Sequence, residues 1–431
     1  MLKHVGREPL ASRRRNGGTS WPVLSWARRA ALRKRHQAAC WAAICLVAAA
    51  VLPSSASAIP LDIGGEIPPS KTPPASKPDP NCLESYADDA PKGGPRIRFG
   101  TGPRLAGESG SGQTVPAIPE DERKADAALK QLKGDRYFAV RLNRLFMSDG
   151  NAGIRQFKRL VRRYARLGLD VELQVRYHPA DADNGNIHKW LRYVKKVVRK
   201  FGPNKHVSGL QITNEVNIGI SPNTSDGYYA RAPRALVRGV ITADRESRRL
   251  GYDQLQIGFN YAWRFDLIGE DNDAAFWRKI GRIGGKRLRK HTDWVGLDIY
   301  PGTWYPGAFR PTTIVDYGDT WLEGVAQTRQ CFMPQAGFTR KTPLRIEETG
   351  YATGPGRSED VQAMAVKEFV RTANRYRRTY NISDFRWFNL RDNNSDGPSF
   401  QQYFGLLRSD YTKKPAFDVY RKLVKRLGAR R

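Results

Sequence analysis

Two short stretches of the sequence put carboxylates directly after an apolar run. In LQITNEVN, Glu215 follows Asn214, and in PLRIEETGY, Glu347 and Glu348 stand side by side before a glycine. Two carboxylates that approach each other resist ionising together, so one is held protonated and the other stays charged. If the fold brings these residues together, the protonated one can act as a general acid and the charged one as a nucleophile.

The elements that must position these acids alternate regularly along the chain. Apolar or β-branched runs typical of strands cover residues 96–100, 137–143, 171–178, 209–213, 255–263, 294–300, 343–348 and 384–390. The segments between them repeat apolar residues with helical period, as in GIRQFKRLVRRYARLG. Strict alternation requires parallel strands joined by crossover helices, and eight such units predict a single (β/α)8 TIM barrel. A doubly wound open sheet, the rival α/β fold, would not need eight units.

Chemistry in such barrels lies at the carboxyl ends of the strands, where the βα loops begin. Two glutamates, one after strand four and one after strand seven, should therefore face each other across the barrel mouth. The other polar or aromatic residues at predicted strand ends are Arg141, His178, Asn214, Asn260, Tyr300 and Trp387. Loop aromatics that could stack on sugars are Tyr228, Tyr229, Trp304 and Tyr305. Paired carboxylates beside such rings are suited to cutting a glycosidic bond.

On these motifs the segment from about residue 96 to 428 resembles a retaining glycoside hydrolase of clan A. TNEVN resembles the Asn-Glu signature of that clan, and EETGY resembles its Glu-x-Gly signature. The resemblance implies these roles: Glu215 as acid/base, Glu348 as nucleophile, Asn214 as partner of the sugar 2-hydroxyl, Arg141 and Tyr300 as the groups that hold the nucleophile, His178 as a cleft residue and Trp387 as the floor under the attacked sugar. Val216 and Glu347 depart from the usual pattern, which leaves the particular family open.

Glu347 needs a separate explanation, because successive strand residues point to opposite sides. With Glu348 aimed into the mouth, we expect Glu347 to face the helix layer or to pair with a neighbouring Arg or Lys. The resulting prediction is hydrolysis of β-glycosidic bonds with retention, by a two-glutamate double displacement in which the carboxyl groups lie about 5–5.5 Å apart. The alternative is a catalytically silent barrel that binds cell-wall polysaccharide. Which glycan is cut, and whether from its end, stays open.

The N-terminal residues read as an export segment followed by a linker. A basic stretch precedes an apolar run over 38–52, and Ala56 and Ala58 form the pattern that a signal peptidase reads. The run is shorter than the roughly 20 residues of a membrane span, although an uncleaved anchor is an alternative. We therefore expect export over 1–58, a Pro/Gly-rich linker over 59–95, the barrel over 96–431, and a secreted or envelope-associated monomer. Cys82 and Cys331, the cysteines outside the export segment, form one disulfide or remain two thiols.

The charge is strongly positive, with 73 basic and 42 acidic residues giving +31. Such a surface attracts polyanions. No nucleic-acid-binding motif is recognisable, so acidic cell-envelope polymers or acidic polysaccharides are the expected partners, and a merely solvated basic surface is the alternative. The six His lack metal-ligand spacing, and the calcium-like DNNSDG loop has Tyr403 where the bidentate Glu belongs. We expect no metal and no cofactor.

Overall fold

Eight parallel strands pair in chain order and close into a barrel, with β8 returning to β1. The computed structural model describes residues 89–103, 118–219, 221–263, 271–303 and 314–430. The strands are β1 Arg98–Thr101, β2 Phe138–Phe146, β3 Asp170–Arg176, β4 Val207–Ile212, β5 Gln256–Ala262, β6 Trp294–Ile299, β7 Leu344–Thr349 and β8 Ile382–Trp387. All eight predicted strands are present, with ends shifted by up to three residues, and the predicted (β/α)8 barrel is confirmed.

One α-helix follows each strand within the described residues. The helices are α1 Glu122–Lys133, α2 Gly150–Arg166, α3 Ile187–Phe201, α4 Ala232–Arg249, α5 Asp271–Lys290, α6 Ile314–Gln327, α7 Glu359–Tyr376 and α8 Pro415–Leu427. Some of the helices begin after a residue whose side chain caps the free backbone amides of the first turn. At the start of α1, the Asp121 carboxylate accepts hydrogen bonds from the backbone amides of Arg123 and Lys124. Ser358 caps α7 in the same way.

The apolar core lies between the barrel and the helix layer. Ile154, Phe157, Val161 and Tyr164 of α2 are all buried, which is the face that the helical period predicts. On the strands, the apolar residues point outward to meet this layer. Trp321 of α6 shows the arrangement, because its indole nitrogen donates to Thr349 Oγ1 on the outer side of β7.

The inside of the barrel is charged rather than apolar. Arg141, Arg345 and Arg386 share this space with buried carboxylates, and Arg345 Nη1 lies 3.1 Å from Glu172 Oε2 across the barrel. Room for these long side chains comes from glycine: a Cβ on Gly296 would lie 2.8 Å from Glu347 Cγ. A buried charge is tolerated when it is paired, and these guanidinium groups and carboxylates pair with one another.

The position of Glu347 corrects one prediction. Leu297 pairs with Ile346 and Asp298 with Glu348, so Glu347 is an extra residue in a β-bulge of β7. The bulge cancels one alternation, and both glutamates therefore point inward. The expectation that Glu347 faces the helix layer is wrong, whereas the expected pairing with an arginine is present, since Glu347 Oε2 lies 3.4 Å from Arg141 Nε.

Several predictions concern residues outside the described part of the chain. These are the export segment, most of the linker, Cys82, Trp304 and Tyr305. Cys331 is disulfide-bonded, so of the two alternatives for that cysteine the bridged one holds. Among the described residues, none of the helices combines the length and apolarity that crossing a membrane requires.

Candidate active site

Glu348 and Glu215 reach the barrel mouth by different backbone routes. Glu348 lies near the end of β7, in register with Asp298 of β6. Glu215 lies just beyond β4, where Thr213 has φ 69° and Glu215 itself has φ 45°. Non-glycine residues rarely adopt this left-handed conformation, and such strain concentrates at functional sites. Here it turns the chain so that Asn214 and Glu215, although adjacent, both project toward the mouth.

Both oxygens of Glu348 accept short hydrogen bonds. Arg141 Nη1 donates to Oε1 over 2.6 Å, and the Tyr300 hydroxyl donates to Oε2 over 2.7 Å. Two short hydrogen bonds, one of them from a charged guanidinium group, hold this carboxylate in a fixed orientation. Burial and then the Glu348 charge raise the pKa of Tyr300 well above its ordinary value, so the phenol keeps the proton that it donates. The structure thus brings the predicted Arg141 and Tyr300 onto Glu348.

Glu215 lies in an environment that favours its protonated form. Burial, followed by the nearby Glu348 charge, raises the pKa of Glu215 to about 8. Its backbone amide donates to Asn260 Oδ1 over 3.0 Å, and Asn214 Nδ2 lies 3.2 Å from its Oε2. At neutral pH, Glu215 is therefore mainly a carboxylic acid beside a carboxylate. This is the division of states that acid catalysis with a neighbouring nucleophile requires.

A third carboxyl group, which sequence reasoning missed, completes the cluster. One carboxyl oxygen of each of Glu215, Asp298 and Glu348 lies within 4.8 Å of the other two. Asp298 is 1% exposed, Asn260 Nδ2 donates to its Oδ2, and its Oδ1 has no hydrogen-bond partner. Burial and then the charges of Glu348 and Glu215 raise the pKa of Asp298 well above its ordinary value. An acid inside the apolar run WVGLDIY, two residues before Tyr300, was the available signal.

Three carboxyl oxygens at this spacing are also a donor set for a divalent cation. The electrostatics of the cluster favour protons instead, because Asp298 and Glu215 both have raised pKa values and Glu348 is already paired with Arg141. A cation would have to displace two protons and compete with a guanidinium group. The cluster is therefore better suited to proton transfer than to metal binding.

Asn214 is fixed in a single orientation by a buried amide network. Its Oδ1 accepts from Gln174 Nε2 over 2.7 Å and from Asn260 Nδ2 over 2.9 Å. Two donors on one oxygen identify it as the carbonyl, which directs the Asn214 amino group toward Glu215 and toward the Thr224 carbonyl oxygen at 3.0 Å. The orientation of Asn214 is thus set by its neighbours, and its role as partner of the sugar 2-hydroxyl stays a prediction.

Arg141 connects this cluster to a second layer of acids beneath it. Its Nη1 holds Glu348 above, while its Nε lies 3.4 Å from Glu347 and 3.8 Å from Glu172. Gln211 Oε1 accepts from Nε at 3.1 Å and from Nη2 at 2.6 Å. The two adjacent glutamates of β7 therefore bind one arginine from above and below. Glu347 thus helps to hold Arg141 in place, and Arg141 in turn holds Glu348.

His178 lies at the rim of the mouth, as expected. Its ring stacks on Phe146 with centroids 4.3 Å apart and meets the edge of Tyr229 at 5.2 Å. Ser148 Oγ lies 3.0 Å from His178 Nδ1. Burial and then the Arg176 charge lower the pKa of His178, so the ring is neutral at physiological pH. Beyond Tyr229, Tyr228 is 54% exposed and offers an open aromatic face.

The prediction that Trp387 lies beneath the attacked sugar and contacts it is wrong for this structure. Trp387 is 0% exposed and its indole nitrogen donates to the Phe404 carbonyl oxygen, so it has no surface for a ligand. Asp384 and Arg386 point into the barrel, and strand alternation then turns Trp387 toward the helix layer. Phe388, half-buried, is the ring next to the site, with its centroid 6.0 Å from that of Tyr300.

Comparisons with known proteins support the fold. No protein-family model matches the chain, and no curated protein matches it. Among solved structures, GH5_18 from Streptomyces cattleya in complex with GlcNAc is similar at 14% identity, covering 78% of this chain and 82% of that one, with a TM-score of 0.54. GH5_18 from Bifidobacterium longum subsp. longum is similar at 15% identity, covering 78% of this chain and 81% of that one, with a TM-score of 0.51. The family 1 β-glucosidase from Thermotoga maritima is similar at 15% identity, covering 72% of this chain and 87% of that one, with a TM-score of 0.50. The chain thus shares the barrel of solved glycoside hydrolases.

Proposed function

We propose that this protein hydrolyses β-glycosidic bonds with retention of anomeric configuration. One observation carries the proposal. Six carboxyl side chains point into the described part of the barrel: Glu172, Glu215, Asp298, Glu347, Glu348 and Asp384. Glu215 and Glu348 are 9% and 8% exposed, while the other four are at most 1% exposed. The two acids that a substrate can touch are thus Glu215, whose pKa is raised, and Glu348, which is paired with Arg141.

Their spacing favours double displacement over direct attack by water. In inverting enzymes the carboxyl groups are about 6.5–9.5 Å apart to leave room for water, and in retaining enzymes about 5–5.5 Å apart. The carboxyl oxygens of Glu215 and Glu348 approach within 4.8 Å. An approach this close supports the retaining arrangement, in which Glu348 itself attacks the anomeric carbon.

In the first step, a Glu348 oxygen bonds to the anomeric carbon while the glycosidic bond breaks. The electron pair of that bond goes to the leaving oxygen, which takes the proton of Glu215. Arg141 and Tyr300 hold Glu348 in position for the attack. In the second step, Glu215, now a carboxylate, removes a proton from water, the water oxygen bonds to the same carbon, and Glu348 leaves as a carboxylate. Both acids return to their starting states.

The substrate we propose is a β-linked poly- or oligosaccharide. Two of the similar structures are described as complexes with GlcNAc and with Manβ1-4GlcNAc, which is a β-linked disaccharide. At 14% identity this supports a class of substrate and does not select a sugar for this chain. The exposed Tyr228 beside Tyr229 adds an aromatic face on the Glu215 side of the mouth, where the leaving sugar would lie.

We also propose that the protein is exported. The N-terminal sequence has the pattern of a signal segment, and the disulfide at Cys331 suits an oxidising compartment outside the cytosol. Fractionation of cells that produce the full chain tests this: export predicts protein lacking residues 1–58 in the envelope or medium, and an uncut cytosolic protein contradicts it.

The activity is tested by screening β-linked polysaccharides and aryl β-glycosides with the wild type and with Glu348→Gln. We expect the wild type to release a product whose first-formed anomer, read by proton NMR, is β, and the variant to lose hydrolysis while still binding the glycan. Release of the α anomer would indicate inversion. Identical glycan binding and no hydrolysis by both proteins would support the silent binding barrel instead.

A further inference from the structure

We propose that α2 and α3 together form a binding face for an acidic polysaccharide. Exposed basic side chains stand on both helices: Arg155, Lys158, Arg159, Arg162 and Arg166 on α2, and Lys189, Arg192, Lys195, Arg199 and Lys200 on α3. Neither helix contains a single Asp or Glu. These ten side chains are called the α2–α3 face below.

The charges are arranged in stripes. On α2 the exposed basic residues follow spacings of three and four, which places them one above another along one side of the helix at about 5.4 Å per turn. The apolar residues of the same helix form the opposite, buried side. The packing of each helix therefore directs its whole basic stripe outward, parallel to that of its neighbour.

Most of this charge is unneutralised by the protein. Arg199 pairs with Glu246 and Lys189 with Asp183. The other eight residues of the α2–α3 face form no ion pair with any residue that the structure describes. Like charges three and four residues apart destabilise a helix, so this arrangement is unfavourable unless an anion occupies it.

The absence of acidic residues distinguishes the α2–α3 face from the other basic helices. Helices α4, α5 and α8 also carry several Arg and Lys, but each contains at least one Asp or Glu, whereas α2 and α3 contain none. Helices follow strand order around the barrel, so α6 lies across from α2. Helix α6 carries Asp319 and Glu323 and no basic residue. A polyanion that approaches the α2–α3 face therefore meets no carboxylate on either helix.

The two stripes meet at a groove of about 350 Å³. Lys158 and Arg162 line it from α2, Lys200 lines it from α3, and the exposed Pro203 supplies apolar surface. A sugar ring presents an apolar face together with its polar groups, and a charged sugar adds a carboxylate, so a groove with an apolar wall and three cations matches that chemistry.

Nucleic acid fits this face less well. Phe157, Tyr164, Trp190, Tyr193 and Phe201 are the aromatic residues of the two helices, and each is at most 8% exposed. Single-stranded nucleic acids are held by bases stacked on exposed rings, and none is offered here. A polymer of uronic acids has repeated carboxylates and no bases, so it can pair with the rows of basic side chains without needing an exposed aromatic ring.

Fluorescence anisotropy with labelled oligogalacturonate tests the proposal. The variant Arg155→Gln/Lys158→Gln/Arg162→Gln/Lys200→Gln removes four charges from the α2–α3 face. Its matched control, Arg421→Gln/Lys422→Gln/Lys425→Gln/Arg426→Gln, removes four from the exposed side of α8. Circular dichroism and thermal melts establish that both fold.

We expect the wild type to bind with an affinity that falls as salt rises, the α2–α3 variant to bind about tenfold or more weakly with a shallower salt dependence, and the control to remain within about twofold. Equal weakening in both variants would reduce the effect to net charge and overturn the proposal, as would an absence of binding by the wild type. Tighter binding of duplex DNA through the same four residues would replace the polysaccharide with nucleic acid. Hydrolysis of a small neutral aryl glycoside should be unchanged in both variants, which separates this proposal from the catalytic one.

Discussion

Replacing Glu348 with Gln should lower the pKa of Glu215. Burial raises the pKa of Glu215, and the negative charge of Glu348 raises it further, to about 8 in total. The substitution keeps the shape of the side chain and removes only the charge. The burial contribution therefore remains, and the contribution of the neighbouring charge disappears.

The size of the change follows from the distance. Two unit charges at the 4.8 Å limit for the carboxyl oxygens interact by about 3.5 kcal/mol at an effective dielectric constant of about 20. At 1.36 kcal/mol per unit, this corresponds to about 2.5 pKa units. Charge spread over both oxygens and partial solvent access reduce it, so we expect a decrease of about 1–2 units. The covalent glycosyl intermediate also neutralises Glu348, and the same decrease would then release the Glu215 proton and make Glu215 a base for the second step.

The assay is a carbon-13 NMR titration of protein labelled at the glutamate carboxyl carbons, with Glu215→Gln used to assign the resonance. Glu368→Gln, which removes a charge on the outer surface of α7, is the control and should leave the Glu215 titration unmoved. If Glu348→Gln leaves the pKa of Glu215 where it is, or raises it, then Glu348 carries no charge in the wild type and the division of roles is refuted.

Five further substitutions test the site and the residues around it. Tyr300→Phe removes a 2.7 Å hydrogen bond to the nucleophile and should reduce kcat by about 10–100-fold with folding intact, as steady-state kinetics and a thermal melt would show; an unchanged kcat would contradict it. Burial and the charges of Glu348 and Glu215 favour the protonated form of Asp298, so Asp298→Asn should hold activity within about threefold and leave the alkaline limb of the pH profile in place. A limb shifted to lower pH would mean that Asp298 is charged. Trp387→Ala should cost about 3–5 kcal/mol of unfolding free energy in denaturant, whereas Phe388→Ala should cost less and raise KM; the reverse pattern would restore the tryptophan as the sugar platform. The pKa of Glu215 is about 8 in the folded protein and 4.5 in the unfolded chain, so unfolding releases a proton and the free energy of unfolding falls as pH rises through that window. The free energy of unfolding of Glu215→Gln, relative to that of the wild type, should therefore rise by about 2–4 kcal/mol by pH 8 and not change below pH 4. A difference in urea unfolding that does not depend on pH would refute this.

The fold was predictable because alternation of two hydrophobic periods over more than 300 residues leaves few topologies. The same pattern placed Glu215 and Glu348 at strand ends, and strand order then brought them to one mouth. The pattern could not show whether the residues beside these two acids point into the barrel or toward the helices. A bulge at Glu347 reverses the alternation in β7, and no periodicity signals a single extra residue.

Trp387 was misjudged and Asp298 was missed for a related reason, namely that the inside of this barrel is charged. Strands β3, β7 and β8 carry charged or polar residues at alternate positions, such as Glu172, Gln174 and Arg176, that point inward. An alternating strand normally indicates a polar side facing solvent. Here the apolar side, including Trp387, faces the helices, and the polar side faces the barrel axis, which is where Asp298 lies.

The central claim is that Glu348 bonds covalently to the sugar, and trapping that bond tests it most directly. Wild-type protein is incubated with 2-fluoroglycosides of the sugars that the screen identifies, and is then analysed by intact mass and by peptide mapping. We expect one added fluoroglycosyl group, located on Glu348 within residues 343–354, and no adduct on Glu348→Gln. An adduct on Glu215 or Asp298 instead, or hydrolysis of the natural glycan with no trapped intermediate and an inverted product, would contradict it.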